Sequence, residues 1–334
     1  MMLKNILKSI FDLFVVYTYG NIFRHITSKR AILCYHRLCK QKYCSIHSID
    51  TTFLNVDLFE NHLKWLSKFA TFVSLDEIMD FNNNKDKKWK IAITFDDGYR
   101  DILLYGIPIL EKYKAPAHIF VSTIFVEDPS ILPWWDLLIF ISNKIKTDLK
   151  ITIGRKSFFY DFTKDHERIR FLKEMYNYFF EMGPKEVFDA QNYLIEMIKN
   201  TTELPLNEIL RKEEIKRLAK SKLITFGAHT ITHANLAKCS PTEVEEEIIT
   251  SKKKLESWTE KKINWFAYPY GQKQLRNKLI IEKIKKANFK GALTTDAGYV
   301  TKNTNPFEIP RIGIDGNWNM RRFCSRILMH HKSI

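Results

Sequence analysis

Short apolar runs alternate with stretches of helical spacing along most of the chain. AILCY (31–35) reads as a strand and ends in His36 and Arg37. Residues 57–69 set Leu58, Phe59, Leu63 and Leu66 at helical spacing. Ser74 with Glu77 is a capping box opening SLDEIMDF, and a polar loop follows from Asn82. Next come the strand KIAITF (90–95), a helix over 101–113 and the buried strand HIFVS (118–122). From about Pro129 to Arg217 helical spacing dominates, broken by one β-like piece, KITIGRKSFFYDF (150–162). The alternation then returns. LITFGAH (223–229) is a strand, and Ser240 with Glu243 caps a helix to Trp258. WFAYPYG (265–271) is strand and turn, 273–287 a helix, FKGALTT (289–295) and EIPRIGI (308–314) strands, and NMRRFCSRILMHH (319–331) a helix.

This rhythm predicts an α/β fold of about seven strand–helix units, a distorted or incomplete (β/α) barrel interrupted once by a mostly helical insertion. The expected parts are an N-terminal amphipathic segment (1–29), barrel parts at 30–128 and 218–315, the insertion (129–217) and a C-terminal helix (316–334).

Composition narrows the picture slightly. The 334 residues are 45% hydrophobic, with 24 Phe and 14 Tyr, enough for a sizeable core rather than a disordered chain. The formal net charge of +15 suits an anionic partner, but runs such as Lys252–Lys254 read as solvated helix faces. No zinc-finger spacing, RNP-like run or basic zipper occurs, so no nucleic-acid partner is expected. Cys34, Cys39, Cys44, Cys239 and Cys324 are odd in number and form no C-x-x-C pair, which reads as reduced thiols. The apolar stretch Leu13–Tyr17 is too short for a membrane span, and no small-x-small cleavage site follows it. The expectation is a cytoplasmic protein, or one lying peripherally on the inner face of the membrane through its basic, aromatic N-terminal segment.

Candidate chemistry collects where strands end. KIAITF delivers Asp96 and Asp97, LITFGA delivers His229 with His233 four residues on, AILCY delivers His36, and EIPRIGI carries Arg311. A helical turn would place His229 and His233 on one face, the spacing with which two imidazoles grip one cation, and an Asp would complete a His-His-acid site. Adjacent carboxylates repel unless they do different work: one can hold a cation while the other serves as base. The competing reading of the Asp pair is a helix cap. Pro133-Trp134-Trp135-Asp136 opens the insertion, and Trp135 is a candidate glycan contact, with a packing role as the alternative.

Taken in order, T-F-D-D-G (94–98), H-T-x-x-H (229–233) and Y-P-Y-G (268–271) resemble the polysaccharide deacetylase family, the NodB-homology carbohydrate esterases. The resemblance covers about residues 30–126 and 218–315. It implies a divalent metal, usually Zn2+ with Co2+, Ni2+ or Mn2+ as alternatives, and removal of N-acetyl groups from an amino sugar of a cell-envelope glycan. By motif match Asp96 is the general base, Asp97, His229 and His233 are the metal ligands, the Tyr270 N–H stabilises the oxyanion and Pro269 shapes its turn. Two departures stand out. The third motif usually reads R-x-P-Y, but Ala267 stands at the Arg position, and Arg311 is the candidate replacement. The closing strand ending in a general-acid His does not follow Tyr270. ILCYH (32–36) fits that pattern better than ILMHH (327–331); with this strand at the front the chain resembles the circularly permuted exopolysaccharide (poly-N-acetylglucosamine) deacetylases, which implies His36 as acid. The alternatives are a deacylase of a lipid-linked sugar precursor and an inactive glycan-binding or assembly protein.

Overall fold

A computed structural model describes residues 29–40, 52–82, 88–200 and 202–329. The N-terminal amphipathic segment lies, but for Lys29, outside these residues, as do Cys44, His330 and His331.

The strands are β1 (Arg30–Tyr35), β2 (Arg37–Cys39), β3 (Phe53–Asn55), β4 (Ala70–Phe72), β5 (Trp89–Phe95), β6 (Ala117–Val121), β7 (Asp148–Ile153), β8 (Lys156–Asp161), β9 (Ile224–Ala228), β10 (Trp265–Ala267), β11 (Gly291–Leu293) and β12 (Ile312–Gly313). The main sheet runs β11-β10-β9-β6-β5-β1-β12, with β4 also on β5, and all its pairings are parallel. One segment links its two edges. Ile309 bridges to Leu293 of β11, and three residues later Ile312 pairs with Leu33 of β1. The chain therefore has the distorted (β/α) barrel architecture, with strand ends gathered at one rim.

Parallel strands covered on both faces need continuous apolar runs, and every residue of β1 and β6 is buried. Their side chains alternate between two layers. Ala31, Leu33 and Tyr35 of β1 join Ile91, Ile93 and Phe95 of β5 under the surrounding helices. Ile32, Ala92, Phe120, Ala267, Leu293 and Ile309 form a separate inner cluster. At Gly227 of β9 an added Cβ would sit 2.5 Å from both His118 Nε2 and the Phe120 ring, so only glycine fits against that filled interior.

The helices include α1 (Val56–Leu66), α2 (Leu75–Met79), α3 (Ile107–Lys112), α4 (Trp134–Lys144), α5 (Asp165–Phe180), α6 (Pro184–Ile198), α7 (Pro241–Thr259) and α8 (Met320–Met329). Both capping boxes form, Ser74–Glu77 on α2 and Ser240–Glu243 on α7. Other elements start or stop short. The helix read over 101–113 opens with a wide turn, Ile102–Gly106, because Pro108 has no N–H to give. EIPRIGI keeps only Ile312–Gly313 as ladder, since Pro310 interrupts it.

Between β6 and β9, helices α4, α5 and α6 pack with the antiparallel hairpin β7–β8. This lobe has its own apolar cluster, including Leu137, Ile141, Ile151, Phe162, Phe171 and Met175. No helix among the described residues is long and apolar enough to cross a membrane.

Candidate active site

The inward rows of the barrel run directly into polar side chains at the rim. In β1 the row is Ile32, Cys34, then His36; in β5 it is Ala92, Thr94, then Asp96; in the closing segment it is Ile309, then Arg311. Arg311 is 0% exposed and donates to both Asp96 oxygens at 2.7 Å. Its Nε–H also donates to the Thr294 carbonyl at 2.9 Å and a second Nη1–H to Thr94 Oγ1 at 3.2 Å. Cys34 Sγ–H adds a donor to Asp96 at 3.4 Å. Burial alone would raise the Asp96 pKa, but the Arg311 guanidinium outweighs it and holds the carboxyl well below the ordinary range. The position opposite, Ala267, is buried and small, and its carbonyl accepts the Nδ1–H of His229 at 2.8 Å.

Asp97 faces elsewhere. Its backbone is left-handed (φ 67°), followed by Gly98 at φ 77°, and this turn swings the second carboxylate out of the barrel row. Asp97 Oδ1 lies 3.5 Å from His229 Nε2 and 3.5 Å from His233 Nε2. The two histidines do not share a helical turn. Residues 229–235 form an irregular loop with Thr230 at φ 66° and His233 at φ 57°, so backbone strain rather than helical period brings the rings together. Glu247 of α7 holds that loop. It accepts from the Ile231 and Thr232 N–H groups at 2.7 and 3.0 Å and from the Thr232 hydroxyl at 2.7 Å. Sequence reasoning passed over Glu247. Its signal is that it falls on the buried stripe of α7 with Val244, Ile248, Ser251 and Leu255.

The Asp97–His229–His233 trio fits a divalent cation. The Ala267 carbonyl can only accept, so His229 Nδ1 carries the proton and Nε2 presents its lone pair toward Asp97. Burial pushes the His229 pKa down to about 4 and the His233 pKa well below its usual value, so both rings are neutral, as metal ligands must be. Separations of 3.5 Å are long for hydrogen bonds but suit three donor atoms around one ion. A second trio, Cys34, His36 and Asp96, has ligand atoms within 4.8 Å of one another. The guanidinium across both Asp96 oxygens makes that position a poor one for a cation.

These groups open into a cavity of about 520 Å³. The rim contributes His36, Asp96, Asp97, His229, His233 and Tyr270. The lobe contributes Trp135, Leu138 and Ile139 from α4, and Leu172, Lys173, Tyr176 and Asn177 from α5. Pro269 is buried behind Tyr270, which has φ 61° and is followed by Gly271 at φ 64°. An added Cβ at Gly271 would meet the Thr295 nitrogen at 2.6 Å, so the turn requires glycine on two counts. Trp135 sits edge-on to the His233 ring at 4.6 Å, and Tyr270 packs against the same ring at 4.9 Å. The Trp135 indole N–H donates to Tyr99 Oη at 2.7 Å, and Tyr99 donates to Asp136 at 3.0 Å. Trp135 thus lines the cavity and braces a histidine at once. Arg37 lies between Asp101 at 3.2 Å and Asp136 at 3.5 Å and also bonds Glu208, tying the start of β2 to the lobe.

A family model described as polysaccharide deacetylase matches residues 83–292. The chain is 25% identical over 298 residues to the poly-beta-1,6-N-acetyl-D-glucosamine N-deacetylase of Staphylococcus aureus, covering 84% of this chain and 77% of that protein. Among solved structures it resembles the Streptococcus pyogenes deacetylase PplD in complex with acetate, with TM-score 0.57, 20% identity and coverage of 87% of this chain and 95% of that one. It also resembles IcaB from Ammonifex degensii, with TM-score 0.55, 17% identity and coverage of 90% and 96%.

Proposed function

The chain belongs to the polysaccharide deacetylase family, and from that premise we propose that it is a metal-dependent N-deacetylase of an exopolysaccharide built from N-acetylglucosamine. The observation that carries this reading is the division of the two adjacent carboxylates. Asp97 faces two neutral imidazoles, while Asp96 is clamped by Arg311 within the same cavity. The name of the Staphylococcus aureus relative supports the choice of polymer.

Asp97, His229 and His233 would hold a divalent cation, which when bound would supply Lewis acidity toward the amide carbonyl and lower the pKa of water. Asp96 takes the proton of the attacking water. Arg311 keeps that carboxylate ionised and fixes its orientation, at some cost in basicity, and so fills the role the missing third-motif Arg would have. Its two oxygens have lone pairs to spare beyond those the guanidinium uses. The Tyr270 N–H, presented by the strained Pro269–Gly271 turn, donates to the oxygen that gains charge. His36, half-buried beside Asp96 in the lining of the same cavity, protonates the departing amine. Trp135 contributes a face of the sugar site while bracing His233.

The test is metal content paired with acetate release from N-acetylglucosamine oligomers. The expected result is near-stoichiometric metal in the unaltered protein and in Asp96→Asn, none in His229→Ala, and acetate release lost in both variants. Absence of metal from folded, metal-replete protein would overturn the mechanism. Bound metal without acetate release would redirect the substrate to a lipid-linked sugar.

A further inference from the structure

The lobe wall carries a feature that the hydrolytic machinery does not use. On α5, Lys173, Tyr176 and Asn177 stand at i, i+3 and i+4, so they share one exposed face, and that face lines the cavity. Tyr176 is 43% exposed with its ring 5.0 Å from Trp134, an aromatic surface held in place from behind. Asn177 adds amide donors and an acceptor beside it. An aromatic face with flanking polar groups suits a pyranose ring.

The charges around this surface are one-sided. Asp96 and Asp97 are the acids among the described lining residues, and both are committed, one to Arg311 and the other to the histidine pair. Lys173 is the one Lys or Arg among those lining residues, and among the described residues no carboxylate lies within ion-pair distance of it. A cavity of about 520 Å³ is roomy enough to take more of a glycan than the sugar being deacetylated.

Resting on the deacetylase reading, we infer that the α5 face is a subsite for the sugar next to the one being deacetylated, and that Lys173 makes it discriminate by acetylation state. An N-acetylated neighbour is neutral and fits beside Lys173. A neighbour already deacetylated carries an ammonium group, which meets Lys173 and finds no free carboxylate to offset the repulsion. The enzyme then avoids sugars adjacent to its own products and leaves a dispersed pattern of free amines rather than blocks.

The experiment compares initial acetate release from two glucosamine-type oligomers of equal length, one fully N-acetylated and one with a single deacetylated residue beside an acetylated one. It is run near pH 6.5, where such an amine is protonated, on the unaltered protein, Lys173→Met and Lys173→Glu. The unaltered protein should favour the fully acetylated oligomer by about three- to tenfold, the Met variant should bring the ratio near one, and the Glu variant should invert it. Raising salt should shrink the ratio in the unaltered protein and leave the Met variant unmoved. Lys173 is exposed, so these variants fold. Equal rates on both oligomers, or one ratio shared by all three proteins, would overturn the inference while the deacetylase reading stands. No acetate from either oligomer with the unaltered protein would overturn both.

Discussion

The barrel rim and the lobe between Trp134 and Ile198 meet across one cavity, and they hold their side chains by different means. At the rim the fixing is electrostatic and nearly dry. Arg311 and Asp96 are both buried, and each charge is tolerable there only because the other is present. At the lobe the aromatic side chains beside the cavity are fixed by ring contacts and a neutral hydrogen bond: Trp135 against His233, Trp135 to Tyr99, Trp134 against Tyr176. The rim cannot shift without unpairing a buried charge, so it suits atoms that must stay within tenths of an ångström. The lobe can trade side chains at modest cost, which suits a wall that reads the substrate.

This contrast makes graded expectations. Arg311→Met should have the largest effect, because it leaves Asp96 buried without its counter-charge, a loss of about 3–5 kcal/mol of stability near neutral pH. The pH dependence gives the sign. With Arg311 present, the folded pKa of Asp96 lies below its unfolded value of about 3.9, so its contribution is complete above that pH and is lost as pH falls below it. Without Arg311 burial prevails and the folded pKa rises above the unfolded one. The penalty is then full at pH 7 and relaxes as the pH falls through the raised value. Urea unfolding at pH 7 and pH 5 should therefore show the gap between variant and unaltered protein narrowing at the lower pH. A gap independent of pH would mean that Asp96 is not the group Arg311 stabilises.

Glu247→Gln comes next. It keeps the shape but weakens the anchor of the 229–233 loop, and metal affinity should fall by about tenfold, as for other groups that orient ligands. Competition with a chelator measures this, and an unchanged affinity would show that the strained loop holds without its anchor. Trp135→Phe should have the smallest effect. The ring stays against His233, and only the N–H to Tyr99 is lost, about 1 kcal/mol in thermal stability with metal still bound. If this change cost as much as Arg311→Met, the lobe would have to count as part of the rigid centre rather than its wall.

Much of the rim is legible in the chain because it depends on local order. A run such as KIAITF must be a buried strand, and whatever follows it must stand at a strand end. The H-T-x-x-H spacing marks two imidazoles as neighbours, although the route that joins them is a strained loop and not the helical turn that spacing suggests. The lobe is legible as helices and a hairpin, but not as a cavity wall. Lys173, Tyr176 and Asn177 look like any exposed helix face until α5 is seen to line the same cavity as Asp97.

What the sequence by itself determined is the set of strand ends and the polar residues on them, since these follow from periodicity over a few residues, together with the motifs by which those residues resemble a family. Only the tertiary structure decided which partners those residues meet. Arg311 meets Asp96 across 215 positions of chain, and the left-handed turn at Asp97 sends two adjacent carboxylates to different partners. Neither outcome has a local signature, because the energy of a buried charge depends on what the rest of the fold places beside it.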